Sequence, residues 1–183
     1  MGNKEFGDDL KPQYIYDKIS DITPAALKAM GAKAVALDID NTLAYDSTLR
    51  IFEDVPAWVG QIRQAGFGVV ILSNTYYLRA RRIAKLLGGI PYYYDANKPA
   101  RSGFLRAAAR CGVKPGELAM IGDQLFTDIR GANGAGCISV LVRYRKREVL
   151  FAGHYRRLRK LEEAYLKKLD VGPSHETHKE ESE

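Results

Sequence analysis

The chain has 183 residues, 46% of them hydrophobic, and a formal net charge of +6. This length fits one domain with a substantial core. No apolar run approaches the ~20 residues of a membrane span, and the N-terminus lacks the charged-then-apolar order of a signal peptide, so we expect a cytoplasmic protein.

The two cysteines fit neither a zinc site nor a disulfide framework. Cys111 and Cys137 lie far apart in the chain, without the short spacing of metal ligands. Because free cysteines usually behave as small hydrophobic residues, we expect both to be buried and inert.

The beginning of the chain predicts one short helix. The first dozen residues are typical of a frayed end, and residues 12–19 bring aromatic side chains that we expect to pack against the body. Thr23 provides an N-cap, Pro24 the first helical position and Gly31 the stop. The helix predicted between them leads into the first strand.

Residues 34–43 predict a buried strand that ends at a functional site. The run carries no charge until Asp38 and Asp40, and Asn41 and Thr42 then break the pattern as a turn does. Ligands of open α/β sheets bind outside the carboxyl ends of the strands, so we expect both carboxylates to enter a crevice. Two carboxylates so close repel each other, and a hard divalent cation such as Mg²⁺ would relieve that repulsion.

Helices and strands alternate along the chain as far as residue 142. The predicted helices cover 55–64, 77–87 and 102–111, and the predicted strands cover 67–72, 90–94, 117–123 and 137–142. Residues 131–136 are predicted as a glycine-rich connector. This alternation predicts an α/β fold, with a three-layer, Rossmann-like parallel sheet and helices on both faces.

Four clusters of polar residues share one position in this pattern. Each falls at the carboxyl end of a predicted strand or in the loop that follows, and those ends meet at one edge of a parallel sheet. The clusters are Asp38 with Asp40, Ser73 with Asn74, Lys98 alone, and Asp123 with Asp128. Such a set suits phosphoryl transfer from a monoester through an aspartyl-phosphate, because a metal, a lysine and a hydroxyl together offset charge on the equatorial oxygens.

Single residues of this set also have simpler interpretations. A serine-hydrolase role for Ser73 needs a nearby histidine, and all three histidines lie near or in the C-terminal tail. Asp128 can be an acid near the start of a helix, where the helix dipole favours it. Lys98 taken alone is typical of a solvated lysine, and only its place in the series favours a functional role.

These residues, in this order, resemble the four motifs of the haloacid dehalogenase (HAD) superfamily. The similarity covers roughly residues 33–142 and rests on Asp-Ile-Asp-Asn-Thr-Leu from Asp38, Ser73-Asn74, Lys98-Pro99, and Gly-Asp-Gln-Leu-Phe-Thr-Asp from Gly122. The last motif, with Asn97 before Lys98, is similar to the YqeG-like branch of subfamily IIIA. That branch is related to phosphatidylglycerophosphate phosphatases.

The resemblance implies catalytic and metal-binding roles for the four aspartates. Asp38 would be the phosphorylated nucleophile and a Mg²⁺ ligand. Asp40 would be the general acid/base, with its backbone carbonyl on the metal. Asp123 would complete the metal shell, and Asp128 would orient the metal or bind it through water. The second aspartate, Asp40, separates the chain from dehalogenases of the superfamily, which lack an acid there, and favours hydrolysis of a phosphoester.

The resemblance also implies substrate-binding residues, while the spacing of the motifs leaves no room for a cover over the site. Ser73, Asn74 and Lys98 would bind the phosphoryl group, with Lys98 also paired to Asp38. Only 33 residues separate Asp40 from Ser73 and 25 separate Ser73 from Lys98, too few for the cap domain that many relatives insert there. We therefore expect a bulky substrate presented from outside, or a homo-oligomer that covers the site.

The most favoured function is a Mg²⁺-dependent phosphatase acting on phosphatidylglycerophosphate in phospholipid biosynthesis. The first alternative keeps the enzyme and changes the substrate to a sugar phosphate, a nucleotide or a phosphorylated macromolecule. The second is a binding or scaffold protein without turnover, which the intact set of catalytic acids disfavours.

The C-terminal part carries most of the positive charge. Ten Lys/Arg and three Glu between residues 143 and 168 give +7, which leaves −1 for the rest. We divide the chain into a catalytic domain (1–153), a basic amphipathic helix (154–170) and a disordered polar tail (171–183). The helix places Leu158, Leu161, Tyr165 and Leu169 on one stripe. It is expected either to pack on the body or to lie on an anionic membrane, whereas thin aromatic interleaving disfavours nucleic acid.

Overall fold

Six strands form one parallel sheet at the centre of the molecule. The structure is a computed structural model that describes residues 7–143 and 153–168, apart from the side chains of 153–159 and 168. The strands are β1 (Tyr14–Tyr16), β2 (Ala34–Leu37), β3 (Gly68–Leu72), β4 (Tyr92–Tyr93), β5 (Leu118–Gly122) and β6 (Ile138–Val142), in the spatial order β1-β6-β5-β2-β3-β4. All neighbouring pairs are parallel, as predicted.

The helices connect these strands and cover both faces of the sheet. They are α1 (Pro24–Ala29), α2 (Val55–Gln64), α3 (Tyr77–Leu86), α4 (Arg101–Cys111), α5 (Arg130–Ala135) and α6 (Gly153–Lys168), with a π-helical turn at Leu125–Ile129. The Thr23 hydroxyl accepts a hydrogen bond from the Ala26 amide and so provides the predicted N-cap of α1. Helices α2, α3 and α4 begin and end within one residue of their predicted bounds.

Strand β2 shows why the sheet needs cover on both sides. Its four residues are fully buried, and successive side chains point to opposite faces. Val35 and Leu37 join a core with residues of α2 and α3, and Ala34 and Ala36 join a second core with residues of α4 and α5. The predicted three-layer α/β fold is confirmed. Within the described ranges, neither the segment from β2 to α2 nor that from β3 to β4 holds a domain.

The glycine-rich segment after the π-helical turn is a helix, so the predicted connector at residues 131–136 is wrong. Gly131 explains the difference, because a Cβ there would overlap the ring of Phe104 and come within 3.1 Å of the Pro99 Cα. The glycine allows α5 to approach α4 more closely than any other residue would. The glycine that suggests a loop in the sequence therefore permits close packing of two helices in the structure.

The N-terminal segment is more ordered than predicted. Residues 8–10 form a 3₁₀ turn, and Leu10 is buried in a small cluster with residues of β1 and β6, so the prediction of a frayed end is wrong for these residues. The aromatic side chains Tyr14 and Tyr16 pack against the main core, as expected, while residues 14–16 add an edge strand that was not predicted. Residues 1–6 lie outside the described residues.

Helix α6 packs on the body of the protein through one face. Tyr165 joins the cluster that contains Leu10, while Leu166 packs at its border. The predicted stripe is only partly correct, because Leu161 is 46% exposed and Glu162 is buried instead. Leu158 and Leu169 belong to positions that the structure leaves undescribed, as does the predicted tail at 171–183. In the described part of the chain, no helix has the length and apolar character to cross a membrane.

Candidate active site

The order of the strands brings three predicted site residues together. Strand β2 lies between β3 and β5, with Leu37 opposite residue 71 on one side and residue 121 on the other. Asp38, Ser73 and Asp123 directly follow these three strands, and all three are buried. The convergence predicted for the carboxyl edge of the sheet is thus present in the structure.

Lys98 joins two of the carboxylates. Its Nζ donates a hydrogen bond of 2.7 Å to Oδ1 of Asp38 and one of 2.6 Å to Oδ1 of Asp128. Burial by itself would lower the pKa of this ammonium group, but the carboxylates of Asp128 and Asp38 raise it above its ordinary value. Lys98 therefore stays charged at this site. Its pairing with Asp38 was expected, and its pairing with Asp128 was not.

Asp128 is fully buried in the same cluster. Burial raises its pKa to about 6, an effect that Lys98 opposes and Asp38 reinforces. The backbone amide of Gln124 donates to its Oδ2, and a Cβ on Gly122 would overlap its carboxylate. The glycine in this motif therefore provides the space that the side chain of Asp128 occupies.

Three carboxylates can hold a divalent cation at this edge. Asp38, Asp123 and Asp128 each offer an oxygen within 4.8 Å of the others, and all three residues are buried. Three carboxylates and the one ammonium of Lys98 leave a net charge of −2, which a divalent ion balances. Hard oxygen donors of this kind suit Mg²⁺ or Ca²⁺. The residues present therefore fit the predicted metal, whereas the predicted contact of the Asp40 carbonyl stays a prediction.

Asp40 is held by an arginine that the sequence reasoning missed. Arg79, only 3% exposed, donates from Nη1 and Nη2 to Oδ2 and Oδ1 of Asp40 at 2.8 and 2.7 Å. Its Nε donates to the carbonyl of Thr48, and Nη1 also reaches the Thr75 hydroxyl. The Ser47 amide donates to Asp40 as well. These contacts fix the plane of the carboxylate.

A signal for this arginine existed in the helical period of α3. Arg79 lies one turn before Ile83 and next to Ala80, both of which face the core. A cation on the apolar face of a helix needs a buried partner. Because α3 also carries exposed arginines, Arg79 was not distinguished from them in the sequence.

Asn74 acts on the backbone of Lys98. Its Oδ1 accepts a hydrogen bond from the Lys98 amide at 2.8 Å, and its Nδ2 donates to the Lys98 carbonyl at 3.0 Å. These two hydrogen bonds tie the backbone of Lys98 to the loop that follows β3. The Ser73 hydroxyl accepts a long bond from the Thr75 amide. Direct contacts of Ser73 and Asn74 with a phosphoryl group stay predictions.

Helix α6 reaches the loop that carries Asp128. The carboxylate of Glu162 accepts a hydrogen bond of 2.9 Å from the backbone amide of Leu125, at the start of the π-helical turn. Glu162 is 5% exposed, so this bond is shielded from water. The C-terminal helix thus supports the loop that carries Asp128 of the candidate metal site, a role that its basic composition did not indicate.

A model of the haloacid dehalogenase-like hydrolase family matches residues 2–136. The chain belongs to the haloacid dehalogenase-like hydrolases. The match includes all four predicted motifs, so the HAD resemblance is confirmed. Helix α6 and its Glu162 contact lie beyond the matched residues.

Curated relatives of this HAD protein include named phosphatases. The chain is 35% identical over 135 residues to the probable phosphatase YqeG of Bacillus subtilis, covering 72% of this chain and 76% of that protein. It is 34% identical to a glyceraldehyde 3-phosphate phosphatase of Methanopyrus kandleri, covering 61% of this chain and 50% of that protein. It is 33% identical to a chloroplastic phosphatidylglycerophosphate phosphatase 1 of Chlamydomonas reinhardtii, covering 64% and 46% respectively. The matched region therefore spans about half the length of the last two.

Solved structures share the HAD fold of the chain. One is a 3-deoxy-D-manno-octulosonate 8-phosphate phosphatase from Moraxella catarrhalis, with a TM-score of 0.52 and 22% identity over 76% of this chain and 88% of that chain. Together, these findings confirm the predicted YqeG-like resemblance and the prediction of a HAD-type phosphatase, a phosphoric monoester hydrolase.

Proposed function

We propose that this HAD protein is a Mg²⁺-dependent phosphatase that forms an aspartyl-phosphate on Asp38 and acts on phosphatidylglycerophosphate in phospholipid biosynthesis. The observation that carries the proposal is the buried cluster in which Lys98 binds both Asp38 and Asp128, with Asp123 beside them. The cluster combines a nucleophile, a cation and oxygen ligands for a metal at one point.

The proposed reaction has two displacements at phosphorus. First, a carboxylate oxygen of Asp38 attacks the phosphorus and the bond to the leaving oxygen breaks, while Asp40 gives that oxygen a proton. Then water attacks the same phosphorus, Asp40 takes the proton from the water, and the bond to Asp38 breaks to release phosphate. Both catalytic groups return to their starting state.

Other side chains hold the reacting groups. Lys98 binds Oδ1 of Asp38, which fixes the rotation of the nucleophilic carboxylate and places a positive charge beside the transferred group. Ser73 and the loop containing Asn74 would bind phosphoryl oxygens, and Arg79 orients Asp40. A bound Mg²⁺, held by Asp38, Asp123 and Asp128, would offset the charge of the equatorial oxygens.

The uncovered edge supports a substrate whose phosphate is presented from outside. No domain is inserted near the cluster in the described residues, so a small metabolite would not be enclosed. The similarity to a phosphatidylglycerophosphate phosphatase supports a lipid headgroup. The comparable similarity to a glyceraldehyde 3-phosphate phosphatase favours a small phosphate ester as the second candidate, in the class of the predicted sugar phosphates.

A substrate panel tests the proposal. Phosphate release is measured with Mg²⁺ on phosphatidylglycerophosphate in mixed micelles, glyceraldehyde 3-phosphate, a nucleotide and a generic aryl phosphate. We expect the highest kcat/KM on the lipid and no release by Asp38→Asn. Asp46→Asn, which changes another carboxylate in the loop after β2, is the matched control. Higher kcat/KM on glyceraldehyde 3-phosphate would favour the second candidate, and no turnover on any ester would favour the scaffold alternative.

A further inference from the structure

Exposed apolar side chains collect beside the candidate active site. In the described part of the chain, eight large hydrophobic residues are at least 38% exposed. Five of them lie in the loops that follow β2, β3 and β4 or in the first turn of α3. We call these five the aromatic rim: Leu49, Tyr76, Tyr77, Leu78 and Tyr94. Single exposed apolar residues are common, but a cluster of them marks an interaction surface.

The rim is continuous with the site. The rings of Tyr77 and Tyr94 pack with their centroids 5.3 Å apart. Leu78 directly precedes Arg79, whose Nε binds the carbonyl of the residue before Leu49. The same arginine holds the proposed general acid/base, so the rim borders the opening through which a phosphate would enter.

Exposed cations surround the rim. Arg81, Arg82 and Lys85 are exposed on the outer face of α3, a helix without acidic residues, and Arg50 is exposed in the loop after β2. The Arg81 guanidinium lies 6.0 Å from the ring centre of Tyr77. The acidic side chains of the same loops are Asp46, Glu53, Asp54 and Asp95, besides Asp38 and Asp40 of the site. None of these acids lies on α3, so the outer face of this helix, which carries three of the four cations beside Tyr77 and Leu78, favours an anionic partner.

We propose that the aromatic rim and its cations dock the protein on an anionic lipid bilayer, with the active site facing the headgroups. Tyrosine and leucine side chains enter the boundary between headgroups and acyl chains, while arginine and lysine attract anionic lipids. This inference rests on the proposed lipid substrate. It explains how an uncovered site reaches a phosphate that stays in the headgroup layer.

Two other partners fit the surface less well. Bases of single-stranded nucleic acid stack on aromatic rings, but the two leucines of the rim add little to such a contact. A symmetric contact between two copies would place Arg81 and Arg82 near the same residues of the partner, with like charges facing each other. A bilayer accommodates both the leucines and the cations.

The docking surface differs from the one first predicted on the C-terminal helix. Helix α6 buries Glu162 and Tyr165 against the body. Its exposed Lys160 and Lys167 flank one exposed acid, Glu163. Rim and helix can therefore be tested separately with variants in each.

The experiment measures co-sedimentation of the full chain with vesicles of phosphatidylglycerol mixed with phosphatidylcholine, and with vesicles of phosphatidylcholine alone. The double variant Tyr76→Ser/Leu78→Ser changes the rim. Leu105→Ser/Leu161→Ser changes two other exposed leucines and is the matched control. Unchanged thermal unfolding shows that each variant is folded. Arg81→Gln/Arg82→Gln tests the cations without removing an apolar side chain.

We expect the wild type and the leucine control to bind the anionic vesicles, the rim variant to bind at least about tenfold more weakly, and the arginine variant to lose the preference for anionic lipid. Equal binding by the wild type and the rim variant would overturn the proposal. So would rim-dependent binding of an oligonucleotide without binding of vesicles, or a dimer that the rim substitutions dissociate. Vesicle binding requires no turnover, so it can succeed or fail independently of the proposed reaction.

Discussion

Arg79 and Asp40 form a two-point ion pair in which each carboxylate oxygen accepts a hydrogen bond from a different guanidinium nitrogen. The two residues are 39 positions apart, on α3 and in the loop after β2. A planar guanidinium holds a carboxylate in one orientation, which a lysine ammonium does not do. The geometry therefore assigns Arg79 to positioning of the proposed general acid/base.

Replacement of Arg79 by lysine should reduce turnover while leaving substrate affinity nearly unchanged. The charge is kept but the two-point contact is lost, so we expect kcat to fall about 10- to 100-fold with little change in KM. Steady-state kinetics on an aryl phosphate measure both constants. Arg82→Lys, an exposed arginine of the same helix, should match the wild type. A parallel rise in KM would contradict a positioning role.

Replacement by asparagine should affect activity differently at the two aspartates after β2. Asp38→Asn removes the nucleophile and should abolish phosphate release. Asp40→Asn removes only acid/base help and should lose ~10²–10⁴-fold in kcat. Rapid-quench detection of protein-bound phosphate distinguishes the roles, because Asp40→Asn should still form the intermediate slowly with a good leaving group. A fully active Asp38→Asn would refute the proposed chemistry.

Gly122→Ala should weaken metal binding through Asp128. The added Cβ overlaps the Asp128 carboxylate, which must shift from the position in which it binds Lys98. We expect a higher Mg²⁺ concentration for half-maximal activity and a smaller rise of Tm on addition of Mg²⁺. The matched control is Gly116→Ala, where the nearest atom to the new Cβ lies at 3.7 Å. Equal Mg²⁺ dependence of the two variants would show that Asp128 is not needed for the metal.

Glu162→Ala should destabilise the protein, although Glu162 lies on α6, outside the residues that the family model matches. The substitution leaves the buried amide of Leu125 without this acceptor, at a cost of about 1–3 kcal/mol in the free energy of unfolding. Denaturant unfolding measures the loss, and Glu162→Gln, which keeps an acceptor oxygen, should recover part of it. The exposed neighbour Glu163→Ala should have little effect. Similar losses at both positions would argue against the Leu125 contact.

The thiols should react only slowly in the folded protein. Burial raises the pKa of Cys137 to about 11 and also raises that of Cys111 above its ordinary value. The thiolate is the reactive form, so alkylation should be slow near pH 7–8 and rise with pH. Cys111 is only partly buried, so the expectation of burial is wrong for this residue, and it should react first. Mass spectrometry after iodoacetamide treatment with and without denaturant checks this, and rapid native labelling of Cys137 would contradict it.

The fold and most residues of the candidate site could be predicted because the sequence patterns that mark them are local. Strands buried on both faces give continuous apolar runs, and polar residues that follow them mark one edge of the sheet. Asp38, Ser73, Lys98 and Asp123 each follow this rule. Spacing within α2 to α4 was also sufficient to place their ends within one residue.

The supporting contacts could not be predicted because they join distant parts of the chain. Arg79 reaches Asp40 over 39 residues, and Glu162 reaches Leu125 over 37. The helical period of α3 places Arg79 on a buried face, but no local pattern identifies its partner or that of Glu162. Gly131 misled the prediction of α5 for a related reason, since its close approach to Phe104 depends on a neighbouring helix that only the fold brings there.

The contact between Glu162 and Leu125 has a consequence for synthesis of the protein. Every residue of the carboxylate cluster is translated before residue 162. The loop bearing Asp128 therefore gains its last support only when α6 folds back onto β6 and the 3₁₀ turn at residues 8–10. Nascent chains arrested before that point would contain all four motifs and still lack a finished catalytic loop.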